Sequence, residues 1–251
     1  MPTDKAVPTD NAAAWDKYSA AYQAAARLST DVAHYGPDIA TESELRLLGH
    51  LRGKRVLELG CGGAQCSIAF AKQGAIAIGV DFSAEQLAHA RQLADQEGVK
   101  VELHESDVAD LAFIRADTID LAFSACALNY VEDLNRVFRQ VHRVLKPNAA
   151  LVFSTNHPAA HLIDTDADEP LLVRHSYWDH APMEWEWNGV PFRDFHHTIQ
   201  DVFTSLIRAN FRIDTIIEPE PVPSGARSMF WDETQTLVPR YLIIRARKEG
   251  T

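Results

Sequence analysis

The stretch Arg55-Val56-Leu57-Glu58-Leu59-Gly60-Cys61-Gly62-Gly63-Ala64 decides the fold of this chain. Its first half is an apolar segment typical of a buried strand, and its second half is a glycine-rich turn that leads into a helical pattern from Gln65. Asp81 ends the next apolar segment, 21 positions after Gly60. This order of strand, glycine turn, helix and acid-terminated strand predicts a βαβ unit that binds a nucleotide-like ligand.

Strand and helix patterns alternate on both sides of this unit. Helices are predicted at residues 13–28, 41–51, 65–73, 83–96, 134–145 and 198–210. Strands are predicted at residues 56–59, 76–80, 99–104, 119–124, 149–155, 211–217 and 240–247. The alternation indicates an α/β fold, with a parallel sheet, right-handed crossovers and helices on both faces. Residues 157–195 break the pattern, and a loop of that length is usually functional or mobile.

Composition excludes several classes of protein. The 251 residues carry a formal net charge of −11, which repels phosphate backbones, so we expect no nucleic-acid partner. Only three cysteines are present, and no CxxC pair, which favours a reducing compartment without disulfides or a zinc site. No apolar run is long enough to span a membrane, and the N-terminus lacks a signal-peptide pattern. We therefore expect a cytoplasmic protein without a membrane partner.

The details of the glycine turn favour S-adenosylmethionine (SAM) over a dinucleotide. Gln65 stands where the dinucleotide fingerprint needs a glycine or alanine, so a diphosphate is disfavoured. SAM has no phosphate, and glycine lets the backbone approach its methionyl part. Glu58 places a negative charge near the cationic end of SAM. Asp81 can accept hydrogen bonds from the ribose hydroxyls, and Asp107, after the third strand, from the adenine amino group.

Five segments together resemble the class I SAM-dependent methyltransferases. These segments cover about residues 52–156, and they are Val56-Leu57-Glu58-Leu59-Gly60-Cys61-Gly62, Val80-Asp81-Phe82-Ser83, Ser106-Asp107, Phe123-Ser124-Ala125-Cys126-Ala127-Leu128-Asn129-Tyr130, and Arg143-Val144-Leu145-Lys146-Pro147. Residues 177–220 are similar to a bacterial small-molecule branch of that family, through Phe195-His196-His197-Thr198 and Phe211-Arg212-Ile213. The resemblance implies a Rossmann-like sheet of seven strands in the order 3-2-1-4-5-7-6, with the last strand antiparallel. It also implies an N-terminal helical cap at 1–51 and a SAM-binding domain at 52–251, with a substrate-side insertion at about 157–195.

The expected site combines these arguments. The residues expected to contact SAM are Tyr18, Glu58, Gly60, Cys61, Gly62, Asp81, Phe82, Ser106, Asp107, Val108 and Ser124. His157, His196 and Tyr130 are the candidates for catalysis or for hydrogen bonding to the substrate, because a near-neutral base suits a hydroxyl or carbon nucleophile. For each histidine a structural role stays open. No metal is expected, since the spacing of His161, His175 and His180 matches no ligand template.

The function predicted from these residues is methyl transfer from SAM to an O, N or C atom of a small molecule, with S-adenosylhomocysteine (SAH) as product. Two alternatives remain: a methyltransferase that acts on a macromolecule, and a SAM-binding protein without catalysis. An oxidoreductase is disfavoured by Gln65. Trp178, Trp185 and Trp187 could line the acceptor pocket, with Trp15, Tyr18 and Tyr22 as the opposite wall, or they could only fasten the insertion to the sheet. We expect a monomer or a homodimer.

Overall fold

The computed structural model describes residues 10–165, 167–223 and 225–250. In chain order, the strands in these ranges are β1 (Arg55–Leu59), β2 (Ile76–Asp81), β3 (Val101–Glu105), β4 (Ile119–Ala125), β5 (Leu145–Asn156), β6 (Met183–Trp187), β7 (Val190–Asp194), β8 (Phe211–Ile217) and β9 (Tyr241–Lys248). The helices are α1 (Asn11–Ala26), α2 (Glu42–Leu45), α3 (Gln65–Lys72), α4 (Ala84–Gln96), α5 (Leu134–Val144) and α6 (Ile199–Arg208).

Within the described residues, seven strands form one sheet in the order β3-β2-β1-β4-β5-β9-β8. β1 to β5 are parallel, and β9 is antiparallel to both of its neighbours. Numbered among the sheet strands alone, this order is 3-2-1-4-5-7-6, so the expected fold is confirmed. Because the parallel strands share one direction, their carboxyl ends meet along one edge, where ligands bind in such sheets.

Apolar side chains cover both faces of the sheet. One face packs α5 and α6 around residues such as Phe138 and Phe153, and the other packs α3 and residues 33–51 around Phe70 and Phe123. This double burial explains why the parallel strands are almost continuously apolar. Among the described residues, no helix combines the length and the apolar character that a bilayer crossing requires.

The prediction of a helix at 41–51 was wrong. The capping box of Thr41 and Glu44 is present, but α2 ends after one turn because Arg46 adopts a left-handed conformation with φ 52°. The carboxylate of Glu42 then accepts hydrogen bonds from the backbone amides of Leu47 and Leu48, at 3.0 and 2.8 Å. These bonds satisfy amides that a longer helix would have paired with carbonyl groups.

The segment 157–195 is more regular than the sequence pattern suggested, because β6 and β7 form an antiparallel hairpin. Asn188 and Gly189 form its turn with φ values of 48° and 75°, the positive pair that a two-residue type I′ turn needs. Asn-Gly between alternating apolar residues is a strong hairpin signal that the sequence analysis missed. The helix predicted at 134–145 also ends one residue early, and β5 starts at once at Leu145, before Pro147.

Candidate active site

The glycine turn after β1 packs tightly against the segment after β4. Gly60 has φ 65° and Gly62 has φ 52°, values that favour glycine. A Cβ atom on Gly60 would lie 2.3 Å from the Cβ of Ala127. The amide of Gly62 donates to Oδ2 of Asp81 at 2.8 Å, so the turn is also tied to the end of β2. These contacts bring the first two predicted motifs together.

Asp81 is buried at the end of β2, as the sequence predicted. Its Oδ1 accepts from the amide of Ser83 at 2.9 Å, and its carbonyl accepts from the amide of Ser106 at 2.9 Å. Burial raises the pKa of Asp81, and the backbone donors Ser83 and Gly62 oppose this rise. The turn after β1 binds the Asp81 carboxylate and the residue after β3 binds the Asp81 carbonyl, so the ends of β1, β2 and β3 meet at this one residue.

Glu58 is also buried, but its contacts differ from those expected. Its carboxylate accepts hydrogen bonds from the amide (2.7 Å) and the hydroxyl of Ser67, in the first turn of α3. The N-cap residue of this helix is Ala64, whose side chain makes no capping bond, so Glu58 satisfies an amide that lacks a partner in the helix. Burial raises the pKa of Glu58 to about 8.

The third predicted motif lies beside Asp81. Asp107 is exposed, and its Oδ1 accepts from the amide of Ala109 at 2.7 Å. Ser106 donates through its hydroxyl to the carbonyl of Asp110 at 2.9 Å, which shapes the same loop. Val108 is buried. The loop thus presents an exposed carboxylate next to the β2 end, where the sequence predicted an adenine contact.

Three other residues that were predicted to contact SAM lie at or just after the ends of β4, β1 and β2. Ser124 is fully buried and donates to the carbonyl of Leu59 at 2.9 Å, which joins β4 to β1 under the glycine turn. The sulfur of Cys61 would lie 2.8 Å from a Cβ atom on Gly79, so this buried thiol packs against β2. Phe82 follows Asp81 and is half-buried.

Helix α1 lies across the N-terminal end of α4. Oδ1 of Asp16 accepts from the hydroxyl of Ser83 at 2.7 Å and from the amide of Glu85 at 3.2 Å. Ser83 is itself the N-cap of α4. Asp16 therefore adds a negative charge at a helix N-terminus, where the helix dipole favours one.

A chain of three amides fastens the middle of α1 over the glycine turn. Gln65 donates through Nε2 to Oε1 of Gln23 at 2.6 Å, and Gln23 donates through Nε2 to Oε1 of Gln86 at 2.7 Å. The Gln23 amide rests against Gly63, where an added Cβ would come within 2.6 Å of it. α1 thus bridges α3 and α4 directly above the motif that decides the fold.

Aromatic side chains cover the ends of the neighbouring strands. We call this group the aromatic wall, and its members are Trp15, Tyr18 and Tyr22 of α1, Tyr130, and Trp185, Trp187 and Phe192 of the hairpin. Trp15 meets Tyr130 edge to face at a centroid distance of 5.7 Å, and Trp185 stacks on Phe192 at 4.7 Å. Trp178 lies outside the wall and is 78% exposed.

The ring nitrogens of His157 are both engaged. Nδ1 accepts from the amide of Ala159 at 3.0 Å, and Nε2 donates to Oε1 of Glu218 at 2.8 Å. His157 is thereby the N-cap of the short 3₁₀ helix Pro158–Leu162. This geometry favours the structural role that the sequence left open.

His196 lies in a group of imidazole rings that packs the insertion against α6. Its Nε2 donates to the carbonyl of Tyr177 at 2.8 Å, and its ring stacks on His161 at 3.9 Å. Burial lowers the pKa of both histidines, to about 4 for His161. In the described ranges, no group of histidine, cysteine or acidic side chains is arranged to hold a metal ion.

Asp194, the last residue of β7, was missed by the sequence analysis. Its Oδ1 accepts from Nε1 of Trp185 at 3.0 Å, and its Oδ2 lies 3.3 Å from Nδ2 of Asn129 and 3.5 Å from Nδ2 of Asn156. Burial raises the pKa of Asp194 to about 6. A usable signal exists: along β7, Asp194 shares the alternation of Val190 and Phe192, so an acid falls on the apolar face.

Gly60 and Gly98 form a matched pair that tests how tightly the glycine turn is packed. Both have left-handed φ, 65° and 66°, but only Gly60 faces a nearby atom, since nothing lies within 4 Å of a Cβ on Gly98. Gly60→Ala should therefore destabilise the protein by about 1–3 kcal/mol more than Gly98→Ala, because of the clash with Ala127. Urea unfolding of both variants measures the difference, and equal losses would contradict the tight packing.

Glu58 should make stability depend on pH. Its folded pKa of about 8 lies above the ordinary value of 4.5, so the folded state binds the proton more tightly than the unfolded state. The contribution of Glu58 to the free energy of unfolding is then greatest below pH 4.5 and falls as the pH rises to 8, by at most about 1.4 kcal/mol per pH unit. Glu58→Gln should remove this contribution. Urea unfolding from pH 5 to 8 tests it, and parallel curves for both proteins would refute the assignment.

These residues fit SAM better than a dinucleotide. The turn offers glycine at Gly60 and Gly62, while Gln65, bound to Gln23, occupies the position where a diphosphate would need a small residue. The buried carboxylates of Glu58 and Asp81 have raised pKa values, so a cation beside them would be favoured.

Comparisons with known proteins agree with this geometry. A family model described as a methyltransferase domain matches residues 50–200. An uncharacterised protein of Haemophilus influenzae is 28% identical over 187 residues, which are 70% of this chain and 74% of that protein. A ubiquinone biosynthesis O-methyltransferase of Pseudomonas syringae pv. tomato is 35% identical over 125 residues, 49% of this chain and only 54% of that enzyme.

Solved structures show the same fold. The structure of a SAM-dependent methyltransferase from Mesorhizobium loti has a TM-score of 0.65 at 27% identity, over 81% of this chain and 94% of that one. A putative SAM-dependent methyltransferase from Listeria monocytogenes, at 24% identity, shares the fold with a TM-score of 0.69 over 82% and 94% of the two chains. The chain therefore belongs to the methyltransferase-domain family and is a class I SAM-dependent methyltransferase.

Proposed function

We propose that this enzyme methylates an O, N or C atom of a small molecule. The observation that carries the proposal is the aromatic wall, which covers the acceptor side of the strand ends with rings from α1 and from the hairpin. Such a cover suits a compact acceptor with an apolar part, because aromatic side chains supply contact area with few rotatable bonds. The sequence similarity to an enzyme named for ubiquinone biosynthesis supports the same class of acceptor.

The alternatives have less support. A macromolecular acceptor is disfavoured by the net charge of −11 for nucleic acid, and by the aromatic wall for a folded protein surface. A non-catalytic SAM-binding protein would need neither an enclosed acceptor side nor a carboxylate such as Asp194 within it. We keep both as outcomes of the experiment below.

Roles for the cofactor residues follow from their positions. When bound, SAM supplies a methyl group on a sulfonium that is already activated for in-line displacement. Asp81 would accept hydrogen bonds from the ribose hydroxyls, and Asp107 from the adenine amino group. Gly60 and Gly62 would let the backbone approach the methionyl part. Burial raises the pKa of Glu58 to about 8, so a cation bound beside it would favour its ionised form, while its hydrogen bonds go to Ser67.

We further propose that residues up to 51 form a cap on the SAM-binding domain, and that the insertion supplies the acceptor side. Residues 1–9 of this cap lie outside the described residues. α1 packs on α4 and on β7, so it touches both the cofactor unit and the hairpin. Its position above the glycine turn would exclude water from the reacting groups, which methyl transfer requires.

Asp81→Ala tests cofactor binding and function together. Loss of a charged hydrogen-bond partner should weaken SAM binding by about 2–3 kcal/mol in calorimetry. The matched control is Asp95→Ala, which removes an exposed carboxylate from α4 and should leave the affinity unchanged. Equal affinities for all three proteins would contradict the ribose role.

A labelling experiment distinguishes the three functions. The enzyme is incubated with methyl-labelled SAM and a cell extract that ultrafiltration has divided into small molecules and macromolecules. We expect label and SAH to form only with the small-molecule fraction, and only with an intact Asp81. Label in the macromolecular fraction would support the first alternative. SAM binding without SAH from either fraction would support the second.

Gln23→Ala tests the cover. Without the Gln23 amide, α1 loses its hydrogen bonds to Gln65 and Gln86, so SAM should dissociate several times faster. Gln96→Ala, an exposed glutamine at the end of α4, is the control. Stopped-flow measurement of SAM release gives the rates, and an unchanged rate in Gln23→Ala would show that α1 does not retain the cofactor.

A further inference from the structure

On the acceptor side of the site, two hydrogen-bond acceptors receive no bond from a charged donor among the described residues, and Arg240 acts on Asp194 only through its charge. Asp194 is half-buried. The donors that contact it in the described residues are all uncharged, and they are Trp185, Asn129 and Asn156. Asn129 is only 7% exposed, and its Oδ1 accepts no hydrogen bond from the described residues. A buried carbonyl oxygen without a donor is costly, and native structures usually satisfy it by a ligand or water.

The backbone fixes these two groups at the strand ends. Phe195, next to Asp194, donates its amide to the carbonyl of Asn129 at 2.8 Å. Asn129 follows β4, and Asn156 is the last residue of β5. Tyr130 is close enough for the charge of Asp194 to raise the pKa of its hydroxyl, after the larger effect of burial. The carboxylate thus stands beside the aromatic wall, at the edge of the sheet where ligands bind.

We propose that the methyl acceptor is a small amine, whose ammonium group binds to the Asp194 carboxylate and to Oδ1 of Asn129 beside the aromatic wall. This inference rests on the proposed function and narrows its acceptor class. A hydroxyl would offer one hydrogen to two acceptors, whereas an ammonium offers three hydrogens and a compensating charge. Aromatic faces also attract cations, and the net charge of −11 draws them towards the protein.

Asp194 would also serve the chemical step. The ammonium gives one proton to the Asp194 carboxylate, which leaves a lone pair on nitrogen. That lone pair forms the new N–C bond while the methyl–sulfur bond breaks and its electron pair stays on sulfur. The products are SAH and a methylated ammonium, and the proton on Asp194 is then released to water. A carboxyl group with a raised pKa is a better proton acceptor than an ordinary aspartate.

The test uses three matched pairs of probes: benzylamine with benzyl alcohol, 2-phenylethylamine with 2-phenylethanol, and tryptamine with tryptophol. Calorimetry measures their binding to the full chain in saturating SAH, so the cofactor position is filled and no reaction occurs. We expect at least one amine to bind about tenfold more tightly than its alcohol, the usual effect of one charge-assisted hydrogen bond. Asp194→Asn, which keeps the size of the side chain, should abolish the preference.

Glu186→Gln is the control, because Glu186 is an exposed acid on the same hairpin. It should keep the preference for amines. If no amine binds better than its alcohol, or if Asp194→Asn keeps the preference, the inference is overturned. It is also overturned if Asp194→Asn lowers the affinity for SAM itself as strongly, since the carboxylate would then belong to the cofactor.

A pH series gives a second readout. Asp194 faces the titratable hydroxyl of Tyr130 and the positive charge of Arg240, and its other neighbours Trp185, Asn129 and Asn156 do not titrate. Its ionised form binds the amine, so the affinity should fall as the pH drops below about 6 in the wild type. The affinity of Asp194→Asn should stay flat. A flat wild-type curve would contradict the inference, whereas failure of SAM to bind at all would instead refute the proposed function.

Discussion

Buried or half-buried carboxylates that no cation contacts within the described residues are the constraint on which this site depends. Glu58, Asp81 and Asp194 lie at or near the carboxyl ends of the strands, and burial raises the pKa of each. Their hydrogen bonds come from uncharged groups: backbone amides, a serine hydroxyl, a tryptophan and asparagines. Each bond steadies a carboxylate without adding a positive charge, and only Asp194 also feels the charge of Arg240, so the folded protein favours cationic ligands at this edge.

The parallel sheet makes this concentration of charge possible. Side chains that are far apart in sequence meet because all five parallel strands end at the same edge, and the turn at Gly60 brings the backbone against Ala127. The hairpin then adds Asp194 from the opposite side, through the bond between Phe195 and Asn129. The two halves of the site have different origins: the cofactor half comes from the sheet itself, and the acceptor half from an insertion.

This difference explains what could be predicted from sequence. The cofactor half depends on local patterns, such as glycine after an apolar strand and an acid at the strand end, so the α/β fold was predictable from them, while the strand order was implied by the family resemblance. The acceptor half depends on how a long insertion folds back, so the sequence pointed to histidines as candidates and not to Asp194. His157 directly follows β5, where a catalytic base could lie, but both of its ring nitrogens are engaged by Ala159 and Glu218. The partners of a side chain, which decide its chemistry, are not local information.

The contacts that α1 makes above the glycine turn also bear on the charge of the site. Gln23 bridges Gln65 and Gln86 with neutral amides, where an ion pair across the same gap would have held α1 more firmly. A lysine at position 23 would also have compensated the nearby carboxylates and competed with a cationic ligand. These neutral contacts leave the negative charge of the cleft for the ligand, while the Asp16 carboxylate and the aromatic wall also hold α1 in place. The positive charge of a bound ligand would offset the free-energy cost of burying the Glu58 and Asp81 carboxylates. The ligand would therefore stabilise the closed site only while it is bound.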